Sequence, residues 1–140
     1  MMLQIGYLII CEDITKEQNH VLIQRPLSII EPINIPGNFS FKIAFSMFEN
    51  LKDITTKNEN ILTITFTDPK GNELLNMAPL TIESNPDEHP EDKRMRVGEA
   101  DVSVNNLELY NEGIHILRLT LNDNTKEIEI PVISKEKQVN

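Results

Sequence analysis

Tryptophan is absent from this chain, and cysteine occurs once, as Cys11. A single thiol excludes an internal disulfide framework and a cysteine-rich zinc module, and it fits a reducing compartment. Without tryptophan or a second cysteine, the Cys…Trp…Cys core of antibody domains is excluded as well. Long hydrophobic runs are also missing. The opening apolar stretch, Leu3 to Cys11, contains Gln4 and falls far short of the ~20 residues a membrane helix needs. It has neither the basic start nor the small-residue cleavage site of a secretion signal. Basic residues are few, 13 against 22 acidic ones, which leaves a formal charge of −9. That balance argues against wrapping a nucleic-acid backbone or lying on an anionic bilayer. The expectation is a soluble, acidic, cytoplasmic domain whose partner is neither nucleic acid nor membrane.

Alanine is scarce too, confined to Ala44, Ala78 and Ala100, whereas isoleucine occurs 19 times, threonine 9 and valine 6. β-Branched side chains lose rotamer freedom in helices and pack well on a pleated sheet, while alanine is the best helix former. With 140 residues, 39% of them hydrophobic, the chain suffices for one domain with a core of its own.

Period-2 patterns locate the strands. Leu3 to Asp13 is apolar on both faces and reads as a first strand, followed by a polar connection over Ile14–Asn19. His20 to Ile35 reads as a kinked edge segment, because Pro26 and Pro32 each remove a ladder donor, and it ends at the turn Pro36-Gly37-Asn38. Phe39, Phe41, Ile43, Phe45 and Met47 alternate with small or polar residues and form the clearest core strand. Glu49 to Glu59 is polar, with room for one short helical turn. Leu62, Ile64 and Phe66 alternate with Thr63, Thr65 and Thr67, and Asp68-Pro69-Lys70-Gly71 is a type I turn into a strand over Glu73–Glu83. Val97 to Leu109 slips parity between Val104 and Leu107, which predicts a bulge at Asn105-Asn106. Two last strands carry Leu117, Leu119, Leu121 and Ile128, Ile130, Val132 inward. The reading is an all-β, two-layer immunoglobulin-like sandwich of seven or eight strands over residues 1–133, with a polar tail at 134–140. Pro26, Pro32 and Pro131 blunt the second segment and the last strand, the expected sheet edges, which predicts a monomer or a modest homodimer.

Two kinds of local pattern carry resemblances. Leu107 to Leu119, an apolar strand, a turn ending in Gly113 and a new strand, resembles the penultimate-strand entry of bacterial immunoglobulin-like domains, with His115 where an aromatic is usual. Tyr7-Leu8-Ile9-Ile10-Cys11-Glu12, Pro36 through Ala44 and Leu62 through Gly71 resemble an uncharacterised family of small bacterial and bacteriophage proteins. That resemblance implies a single sandwich domain reaching about Ile133 and a phage or mobile-element setting. It supplies no catalytic residues to carry over.

No catalytic constellation emerges. Cys11 lies in an apolar strand, where free cysteine behaves as a small hydrophobe. His20, His89 and His115 have no metal-ligand spacing, and no phosphate loop or nucleophile elbow is present. No enzyme activity, cofactor or metal is assigned. The one charged cluster is the segment Ser84–Arg96. Asp87, Glu88, His89, Glu91 and Asp92 make its acidic half; Lys93, Arg94 and Arg96 make its basic half. Its spacing matches no calcium loop. At thirteen residues it exceeds the ~2–5 that connect adjacent strands, and Pro86 and Pro90 stiffen it, so it is the expected protein-binding surface. The function read from the sequence is a non-catalytic protein-binding module. Alternatives are an acidic phage-encoded inhibitor of a host nuclease or defence system, and a virion-associated accessory protein.

Overall fold

The computed structural model describes residues 3–18, 20–50, 58–84 and 95–135. Among these, nine strands run in chain order: β1 (Gln4–Glu17), β2 (His20–Pro26), β3 (Gly37–Asn50), β4 (Asn58–Thr67), β5 (Glu73–Asn76), β6 (Leu80–Ser84), β7 (Met95–Leu109), β8 (Gly113–Leu121) and β9 (Asn124–Val132). They form two antiparallel sheets. The first has the order β2-β1-β3-β7; the second has β5-β4-β8-β9, with β6 beside the other end of β4. No described residue lies in an α-helix, and no helix is long and apolar enough to cross a membrane. The chain is therefore all-β and two-layered.

The sheets pack through the faces that alternation assigns inward. Phe41, Ile43 and Phe45 of the first sheet meet Ile64, Phe66, Leu117, Leu119 and Ile130 of the second, all buried; Ile128 is half-buried at the margin. Phe41 and Phe66 touch across the interface, with ring centroids 5.9 Å apart. Burying these side chains supplies the main favourable term, ~1.5–3 kcal/mol for each large apolar residue.

Several boundaries differ from those the sequence suggests. Ile14 to Glu17 continue β1 rather than forming a connection, because they pair with Val21–Ile23 and His20 of β2 in a long hairpin. Gly37 and Asn38 pair with β7 and so open β3, and the preceding Ile35–Pro36 bond is cis. Glu49 and Asn50 belong to β3 and Asn58 and Glu59 to β4; the helical turn read between them falls on 51–57, outside the described residues. The strand over Glu73–Glu83 splits in two at Met77-Ala78-Pro79, which makes nine strands; proline lacks the donor that continued pairing needs. Ser84, Met95 and Arg96 belong to β6 and β7, and 85–94 of the charged segment lie outside the described residues.

The long second segment is a strand only to Pro26. Its remainder caps the second sheet. Ile30 bridges Val132 in parallel, with bonds from Ile30 N to Pro131 O (2.9 Å) and from Ile133 N to Ile30 O (3.1 Å), and Lys135 N reaches Pro32 O (2.9 Å). The C-terminal end of β9's outer side, at Val132, is thereby covered. Ser134, placed by sequence in the tail, is buried, and its N–H donates to Glu112 Oε2 at 3.0 Å. The outer face of the first sheet is covered in part by the β1–β2 hairpin. Although β2 and β7 are opposite edges of the sheet, they come into contact, and Lys16 Nζ meets Asp101 Oδ1 at 3.1 Å. Cys11 and Ala44 point away from the core, yet both are fully buried.

Candidate functional site

Among the described residues, one flank of the sandwich is uncovered. There β7, the edge of the first sheet, stands beside β5 and β6, the edge strands of the second. Among the described strands β7 pairs with β3 alone. It runs 15 residues, and among the described residues no strand pairs with its other side; such an edge is a template for another strand.

Cavities lie along this flank. One, about 480 Å³, runs between β5 and β7, with Leu74, Leu75, Met77, Val104 and Leu107 for its apolar lining and Glu73, Glu108 and Tyr110 among its polar residues. A second, about 300 Å³, continues past Glu108 and Tyr110 to Pro36–Asn38. The third, about 180 Å³, opens near the start of β7 over Leu3, Met47 and Ile82, with Glu49, Glu83, Val97 and Gly98. Their charged lining residues are Glu49, Glu73, Glu83 and Glu108; no lysine, arginine or histidine lines them among the described residues. Val97 and Tyr110, 67% and 55% exposed, mark the two ends of the flank. The Tyr110 hydroxyl donates to Glu108, and that bond raises the phenol pKa.

The residues of β7 divide cleanly by parity. Gly98, Ala100, Val102 and Val104 lie opposite Met47, Phe45, Ile43 and Phe41 and face inward; Glu99, Asp101 and Ser103 face outward. The strand is interrupted at Asn106, whose φ is +54°, where Phe39 pairs with Leu107 but Phe41 with Val104. This is the bulge that the parity slip announces, and Asn106 N donates to Ser40 Oγ at 2.9 Å.

Of the residues singled out by sequence, Asp87, Glu88, His89, Glu91, Asp92, Lys93 and Arg94 lie outside the described residues. Arg96 stands in β7, in register with Glu49 of β3. The length argument for that segment changes, because β6 and β7 belong to different sheets and the chain must pass from one layer to the other. Sequence reasoning missed the β7 edge itself: its inward small residues and outward acids are visible in the sequence, but its lack of a second neighbour follows only from strand order.

The other candidate groups are structural. Cys11 is buried with Sγ 3.8 Å from Lys42 O; burial first, then the charges of Asp13 and Asp101, push its thiol pKa up, opposite to an activated nucleophile. His115 is fully buried in β8, its ring stacked on Phe66 at 5.3 Å between centroids. Its Nδ1 lies 3.1 Å from Gly113 O, while Nε2 has no hydrogen-bond partner. Asp68 is a buried hub joining two turns. It accepts Lys70 N and Asn72 N on Oδ1, both at 2.9 Å, and on Oδ2 the side-chain amides of Asn72 (3.2 Å) and Asn111 (2.9 Å). No group of three or more His, Cys, Asp or Glu is placed to hold a metal ion among the described residues.

No family model matches the chain, and no curated protein matches it either. Among solved structures, the chain is similar to part of the Pseudomonas fluorescens alkylpurine DNA glycosylase AlkC bound to DNA containing an abasic site analog, with a TM-score of 0.50 and 6% identity. The match covers 93% of this chain and 30% of the glycosylase chain. At that identity the likeness is one of fold.

Proposed function

We propose that this chain is a non-catalytic, immunoglobulin-like β-sandwich module that binds another protein along the β7 flank. One observation carries this reading: among the described strands, the 15-residue β7 pairs on one side only, beside apolar-lined grooves, while the Val132 end of β9 is met by Ile30 of the chain's own 27–35 segment. Natural sandwiches protect such edges unless a partner covers them. The lone thiol supports a cytoplasmic setting, and the resemblance to small bacteriophage proteins supports a phage or mobile-element origin. The fold likeness to part of a DNA-bound glycosylase does not alter this reading, because at 6% identity it speaks to the fold alone.

Site-specific photo-crosslinking in the cell that carries the gene tests the proposal. A benzophenone side chain placed at Tyr110 or Val97, on the flank, should give a discrete protein adduct. The same probe at Ile61, exposed on the outer face of the second sheet, should not. Equal adducts from all three positions, or none from the flank, would reject the reading.

A further inference from the structure

We infer that the unpaired edge of β7 between Val97 and Val104 takes up an extended polypeptide segment by strand addition, and that this segment alternates bulky apolar side chains with lysine or arginine. The inference rests on the protein-binding reading above and specifies the chemistry of its partner.

Steric fit determines the inward side. An added strand lays its side chains beside their neighbours on β7, alternating between the two faces. The inward neighbours are small at one end: Gly98 and Ala100, facing Met47 and Phe45 of β3. A Cβ built on Gly98 would meet no atom within 4 Å, so the space beside it is unfilled. The adjacent cavity is floored by Leu3, Met47 and Ile82. Large apolar side chains from a partner strand fill that space and displace water from those surfaces.

Charge determines the outward side. Glu99 and Asp101 point away from the core at the positions an added strand would face. Lys16 already reaches Asp101, and the Tyr7 hydroxyl donates to Glu99; both carboxylates remain acceptors beside the edge. Opposite charges across neighbouring strands attract and like charges repel. Register ends where pairing must: the Asn105-Asn106 bulge interrupts the edge. An anionic partner, nucleic acid included, meets repulsion at Glu99, where a cationic side chain is attracted.

The test uses a short synthetic peptide alternating leucine with lysine, a matched leucine–glutamate peptide, and the isotope-labelled full chain. The leucine–lysine peptide should shift the backbone amide signals of Val97–Val104, and its binding should weaken with added salt. Glu99→Pro and Ala100→Pro separate edge pairing from folding. Neighbouring residues of a strand direct their N–H groups to opposite sides, so one of the two leaves the β3 ladder intact. That variant, identified by an unchanged melting temperature, should bind the peptide at least about tenfold more weakly. A control, Glu129→Lys on β9, should bind as the parent does. Equal or tighter binding of the leucine–glutamate peptide to β7 would overturn the charge assignment while leaving the binding edge in place. Shifts confined to other strands, or no binding of either peptide, would overturn the inference; failure of the flank crosslinks as well would overturn the protein-binding reading itself.

Discussion

His115 shows what a single buried polar atom does to a small core. Burial holds its imidazole pKa down, against the opposing pull of the Gly113 carbonyl and the Asp68 charge. A folded-state pKa below the unfolded value means the unfolded chain binds more protons in that window. The neutral ring therefore contributes stability fully above ~6.5, the ordinary histidine value, and that contribution is lost as pH falls toward the depressed folded value. His115→Phe removes the titration and keeps the stack on Phe66. Thermal unfolding at pH 7.5 and pH 5 should show a smaller acid-induced loss of Tm in the variant than in the parent. Asp68 behaves oppositely: burial raises its carboxyl pKa, but the bonds from Asn72, Asn111 and Lys70 outweigh burial and hold it below the usual carboxylate range. Asp68→Ala strands those donors and should cost about 1–3 kcal/mol in urea unfolding. The sequence shows that His115 shares the parity of the leucines. It does not show depth, which depends on what the neighbouring segments cover.

At the scale of elements, bulges set the shape of the first sheet. Between Ile5 and Leu8, β1 carries an extra residue relative to β3, and Tyr7 N donates to Ser46 Oγ at 2.9 Å. A Cβ on Gly6 would overlap that same oxygen. Gly6→Ala should therefore destabilise by about 1–3 kcal/mol, the usual cost of overpacking, and Ser46→Gly in the same chain should recover part of it. The central strand is more demanding still: Phe45, 2% exposed, should cost about 3–5 kcal/mol on change to alanine. β3, β4, β8 and the β7 bulge were legible because alternation records which face is buried. The distal β1–β2 hairpin was not. Its tip, Thr15 to His20, is polar, and contacts distant in sequence, such as Lys16 with Asp101, hold it over the outer face of the sheet. The division of 73–83 carries its cause in Pro79, but that cause becomes legible only once β5 and β6 are seen to share β4.

For the whole molecule, the two flanks of the sandwich differ in kind. On one, Ile30 and Pro32 exchange backbone bonds with Pro131, Ile133 and Lys135 and cover the Val132 end of β9. On the other, β7 faces β5 and β6 across acid-rimmed cavities. Glu99 and Asp101 near the middle of β7 oppose an antiparallel pairing of two copies about that point, so the purified chain should scatter light as a monomer or a modest dimer. Large concentration-dependent assemblies would show that the edge recruits its own kind. Amide hydrogen exchange measures the free edge most directly. Between Val97 and Val104, alternate amides should exchange rapidly because they face solvent, while their neighbours, bonded to β3, exchange slowly; the Ile30, Ile133 and Lys135 amides on the capped flank should be protected. Uniform protection along β7 would mean the edge is already paired and would contradict an open binding flank.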